Sequence, residues 1–78
     1  MNELYLKNYS GSEIIYEYQP DGKGDKGIIS YSFIDDVATI QKVAPGDQSQ
    51  YYARMAMSAV KQIAKKNNIP RAYTQAWY

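Results

Sequence analysis

Cysteine and histidine are both missing from this 78-residue chain, which also holds one tryptophan, one phenylalanine and three prolines. Without cysteine there is no disulfide framework and no thiolate metal site. Without histidine the commonest metal ligand and the commonest general base are gone. No stretch approaches the ~18 consecutive apolar residues that a membrane-spanning helix needs. The opening MNELYLKNYS lacks a basic segment followed by an apolar run, so no secretory signal is read and a cytoplasmic location is expected. The serines have no histidine to activate them. Asp35 and Asp36 are adjacent carboxylates, but neighbours in a tight turn point apart and stay solvated. No catalytic, cofactor-binding or metal-ligating residue is therefore nominated. A non-enzymatic protein is expected, with no cofactor, metal or membrane as partner.

Aromatic residues are plentiful: they make up 14% of the chain, and nine of them are tyrosines. Disordered chains are poor in aromatics, so this one is expected to fold. A domain of this size buries only about 60–65% of the surface its unfolded chain exposes, which limits the core. The net charge is +1, unevenly spread. Residues 1–47 carry four lysines against eight acids, a sum of −4, whereas residues 48–78 carry five cations and no acid, a sum of +5. Such asymmetry suits either an anionic partner or mutual attraction between the halves.

Three segments alternate with period two. In EIIYEYQ (13–19), Ile14, Tyr16 and Tyr18 share a face; in GIISYSFI (27–34), Ile29, Tyr31 and Phe33 do; VATIQKV (37–43) is the third. Centring the first hairpin in its loop sets Tyr18 opposite Ile29, Tyr16 opposite Tyr31 and Ile14 opposite Phe33. A two-residue turn at Asp35-Asp36 then sets Tyr31 opposite Ile40 and Phe33 opposite Ala38. One face stays apolar through all three strands, which is what a fixed register requires. The intervening PDGKGDKG (20–27) has glycines, but they open a strand rather than a helix and no Ser or Thr follows a Gly-Lys pair, so it reads as a turn and not a phosphate loop.

A helix is predicted over residues 48–67, after Pro45-Gly46. Asp47 is its expected N-cap and Gln50 the third residue of a capping box. Tyr52, Ala56, Ala59, Val60 and Ile63 form its apolar stripe, while Arg54, Lys61 and Lys65 lie opposite. Residues 3–7 suit a further strand, which would add Leu4 and Leu6 to the open side of the sheet. Residues 69–78 suit an edge strand or a packed tail. The expected fold is α+β: a small two-layer domain, with a three-stranded antiparallel meander (a fourth strand if 3–7 joins) and one C-terminal amphipathic helix on one face.

Two surfaces follow. The sheet face away from the helix would present Ile15, Glu17, Ile28, Ser30, Ser32 and Val43, a contact surface for a protein partner or a second copy of the chain. Arg54, Lys61, Lys65, Arg71, Tyr73 and Trp77 combine cations with aromatic rings, the chemistry that weak nucleic-acid binding uses.

Overall fold

A computed structural model describes residues 1–66 and 68–77. Its elements run β1 (Asn2–Tyr9), β2 (Glu13–Pro20), β3 (Gly27–Ser32), β4 (Val37–Lys42), α1 (Tyr51–Ala64) and β5 (Ala72–Gln75). The strands form one antiparallel sheet in the order β4-β3-β2-β1-β5, and α1 packs across one face against β1 to β4. The α+β two-layer arrangement is as expected, with five strands rather than three or four. Residues 3–7 lie within β1. The C-terminal segment supplies β5 beside β1, not beside β4. Tyr78, the last residue of the predicted tail, lies outside the described residues, as does Asn67, the last of the predicted helix.

The core lies between α1 and the sheet. Leu4, Ile14, Tyr16, Tyr18, Ile29 and Tyr31 meet Ala53, Ala56, Ala59, Val60 and Ile63 there, all buried. Three small alanines let the helix backbone approach, and the tyrosines fill the space. Leu4 and Leu6 do not join the open face. They pair with Tyr18 and Tyr16, so they point toward α1, and Glu3 and Tyr5 take the open side instead.

Both hairpin registers differ from the expected ones by two residues. Tyr18 faces Gly27, Tyr16 faces Ile29 and Ile14 faces Tyr31; across the next seam Ile29 faces Ile40 and Tyr31 faces Ala38. An even shift preserves the face of every side chain, so the apolar side is the expected one. Tyr18 decides the offset. Its ring lies over Gly27, where a Cβ atom would come 2.2 Å from Tyr18 Cε1 and 2.6 Å from the Lys42 carbonyl oxygen. A glycine is required opposite this tyrosine, and Ile29 could not take that place. The second turn spans residues 33–36 rather than two, which leaves Phe33 outside β3. Asp36 takes a positive φ of 54°, its carboxylate accepts the Tyr31 hydroxyl, and the Asp35 amide donates to Ser32 Oγ at 3.1 Å.

Helix α1 begins three residues later than expected and ends at Ala64. The residue before it, Gln50, is left-handed at φ 62° and makes no side-chain cap, so the capping box does not form. Asp47 still serves the helix from further away. Its Oδ1 accepts the Tyr52 amide at 3.1 Å, and its Oδ2 accepts the Ala53 amide at 2.8 Å and the Tyr18 hydroxyl at 3.0 Å. The Tyr18 oxygen in turn accepts the Ala44 amide at 2.9 Å. One buried carboxylate therefore satisfies two open helix amides and anchors the helix start to β2.

Two substitutions test this framework. Asp47→Ala removes three bonds to a carboxylate and strands a buried hydroxyl, at a cost of about 3 kcal/mol, read as a lowered urea midpoint. Gly27→Ala drives a methyl group into the Tyr18 ring and costs about 3 kcal/mol by overpacking. Gly24→Ala has open space around its Cβ but a φ of +76°, so its smaller loss separates backbone strain from steric overlap.

Candidate interaction surface

The face of the sheet away from α1 is built in cross-strand rows. One row runs Ala72, Tyr5, Glu17, Ile28, Lys42, and the next runs Asn8, Ile15, Ser30, Thr39. Of the six residues nominated for this face, Ile15, Glu17 and Ile28 are half-buried at its centre. Ser30 is buried, its Oγ accepting from Gln41 Nε2 at 2.8 Å. Ser32 is on the face but accepts the Asp35 amide, so it serves the turn. Val43 is not on this face. A bulge between Ile28 and Ile29 on the β3–β4 seam reverses the alternation near the end of β4, so Lys42 stands opposite Ile28 and Val43 falls beyond the strand.

The apolar centre is bordered by mixed charge. Lys26 lies 4.6 Å above the Tyr5 ring, a cation–π contact that leaves the ring only partly open. Beside it, Glu17, Gln19, Asp25, Lys26 and Lys42 line a shallow polar cleft of ≈ 570 Å³. Among the described residues no group of three or more acidic, cysteine or histidine side chains could hold a metal ion, and no helix is long and apolar enough to cross a membrane.

The six residues nominated for nucleic acid fall into separate places. Lys61 lines a cleft with Asp36, Val37, Ala38, Met57 and Ser58 at the β4 side of the helix. The Tyr31 hydroxyl, then the Lys61 charge, hold the Asp36 carboxyl below its ordinary range, with a further contribution from Lys65. Part of the basic stripe therefore answers an acid of the same chain. Arg54 is exposed and donates to the Ser49 carbonyl at 3.2 Å. Arg71 and Tyr73 belong to the opposite edge of the sheet, at β5, four strand spacings or roughly 19 Å from β4. Trp77 packs its ring on Tyr51 and Tyr52, with centroids 5.9 and 5.8 Å away.

This tail is docked rather than free. The Leu6 amide donates to the Arg71 carbonyl at 2.8 Å, and the Tyr16 hydroxyl donates to the Pro70 carbonyl. Gln75 Nε2 donates to the Met55 carbonyl at 2.8 Å, while Asn2 Nδ2 donates to Gln75 Oε1 at 3.1 Å and to the Tyr52 carbonyl at 3.0 Å. The same end of the molecule is held by Asp21. Its carboxylate accepts the Tyr52 hydroxyl at 2.9 Å and pairs with the Met1 amine at 3.1 Å, and these two partners keep its pKa low.

Residues not singled out from the sequence complete the surface. Among the described residues none pairs with the outer side of β4, and Val37 is 51% exposed there. In the adjoining turn Ile34 is 80% exposed, and its neighbour Phe33 lies 6.3 Å from the ring of the exposed Tyr9. The alternation of VATIQKV signalled a strand, but only the sheet order shows that it is an edge. Comparison with protein-family models, curated proteins and solved structures finds no match to this chain.

The tyrosines supply a pH test. Burial raises both Tyr16 and Tyr18 from an ordinary value near 10 to about 12. The folded state holds these protons more tightly than the unfolded state does. Stability from this source is complete below about pH 10 and is lost as pH rises toward about 12. A spectrophotometric alkaline titration should show Tyr16 and Tyr18 ionising only together with loss of the far-ultraviolet dichroism. Ionisation of Tyr16 and Tyr18 near pH 10, with the fold intact, would contradict this burial.

Proposed function

We propose that this protein is a small non-catalytic interaction domain that associates, with a protein partner or with a second copy of itself, through the open face of the sheet and its β4 edge. The observation that carries the reading is the one-sided cover of the sheet. The helix occupies one face, and Tyr5, Ile15 and Ile28 remain half-exposed on the other, continuous with an edge strand that has no outer neighbour among the described residues. Exposed strand edges are ready templates for pairing with another chain. The polar border of Glu17, Lys26 and Lys42 carries both signs of charge, which favours a protein surface over a polyanion.

A nucleic-acid role draws support from the exposed Arg54, Lys65 and Arg71. It is the weaker reading, because Lys61 and the aromatic Tyr73 flank opposite edges of the sheet and Trp77 is engaged with the helix start. Its signature would be oligonucleotide retardation that falls steeply with salt and is lost in the double variant Lys61→Glu, Lys65→Glu.

Sedimentation over a range of concentrations tests the main reading. The native chain should show a weight-average mass that rises with concentration. Ile28→Lys, and separately Ile15→Lys, should return it to the monomer with the circular dichroism unchanged. A strict monomer at every concentration would remove self-association from the reading.

A further inference from the structure

The direction of the backbone groups along β4 adds a specific geometry. The Phe33 amide donates to the Ser12 carbonyl at 2.9 Å, one step beyond the Glu13–Ser32 pair of the β2–β3 ladder. Odd-numbered residues of β3 therefore turn their peptide groups toward β2, and even-numbered ones toward β4. Ser30 pairs with Thr39 and Ser32 with Val37, so Thr39 and Val37 spend their peptide groups on β3. Ala38 and Ile40 then present theirs outward, where the sheet order places no strand.

Edges of this kind are normally blunted by proline, lysine, a bulge or brevity. The other edge, β5, has only four residues and follows Pro70 and Arg71. On β4 the bulge and Lys42 protect one end, and Val37 to Ile40 have no such device.

We infer that β4 pairs antiparallel with β4 of a second copy, with the two-fold axis at Thr39 and Ala38 of each chain opposite Ile40 of the other. This rests on the interaction reading above and adds the partner and the register. Outward groups must meet outward groups, so even-numbered residues pair with even-numbered ones. That parity also keeps both helices on one face of a continuous ten-stranded sheet. Each Ala38–Ile40 pair exchanges two backbone hydrogen bonds. The pairing matches shape as well: the small Ala38 lines the ≈ 430 Å³ cleft beside Met57, and the larger Ile40 of the second copy comes opposite it. Charge agrees with the direction. Asp35, bonded to Ser32 on the open face, lies at one end of the strand and Lys42, on the same face, at the other, so antiparallel pairing brings opposite signs together where parallel pairing would bring like signs.

The absence of native cysteine makes the test direct. In this register Thr39 meets itself as a non-hydrogen-bonded pair with Cα atoms about 4.5 Å apart, within the range a disulfide spans. Val37 of one chain is about 14 Å from Val37 of the other, four residues along the strand. Under mild oxidation Thr39→Cys should form a covalent dimer almost completely, and Val37→Cys at no more than about a tenth of that yield. Ala38→Pro, which removes an outward amide and leaves the β3 ladder whole, should weaken association about tenfold or more with unchanged circular dichroism. Equal cross-linking of the two cysteine variants overturns the register. Association that survives Ala38→Pro but not Ile28→Lys overturns edge pairing and leaves the interaction reading standing. A monomer at all concentrations, with no cross-link from Thr39→Cys, overturns self-pairing altogether.

Discussion

The bond network around Asp47 holds the two layers together. A helix that follows a strand must find partners for its first amides, and a tyrosine hydroxyl buried beneath it must find a partner as well. Asp47 meets both needs with two oxygens, and the same hydroxyl takes the Ala44 amide. The loop, the helix and the second strand are thereby fixed at one point. Gly27 is part of the same arrangement, because Tyr18 can lie flat toward Asp47 only over a residue without a side chain. The register of the first hairpin follows from that placement.

Much of the architecture was legible in the amino-acid order because it depends on periodicity. The alternation of Ile14, Tyr16 and Tyr18 identified the buried side of β2, and the spacing of Ala56, Ala59, Val60 and Ile63 identified the buried side of α1. What pattern could not supply was offset. A shift of two residues leaves every alternation intact, and the contact that selects among the allowed offsets, Tyr18 over Gly27, is a matter of steric fit across the hairpin and leaves no trace in the alternation. The helix start illustrates a related difficulty. Asp47 was read as a cap from its identity, and it does accept helix amides, but a left-handed Gln50 lies between. Local composition marked the right carboxylate and the wrong first turn.

The surfaces were less legible than the core, for a reason of topology. Exposure of a strand depends on its neighbours in space. The position of β5 beside β1 puts Leu4 and Leu6 in the middle of the sheet and leaves β4 at its margin. Nothing in RAYTQAWY indicates which edge it joins. The bulge near the end of β4 similarly moved Val43 off the face on which alternation had placed it. The cations of the helix looked like one stripe when listed by spacing, yet Asp36 faces part of that stripe, and the aromatic residues that were to accompany it lie across the sheet or against the helix start.

The position of the last strand bears on the order of assembly. Asn2 and Gln75 meet across 73 residues of chain, which for an unfolded polymer is a costly loop to close. Once the meander and the helix have formed, the remaining gap is only the short span 65–71 that leads from the helix back to β1. The entropy of ordering β5 then becomes small, and its pairing follows the rest rather than guiding it. In the sheet a four-residue edge strand is held to β1 alone, so its local opening would break fewer ladder bonds than that of any inner strand.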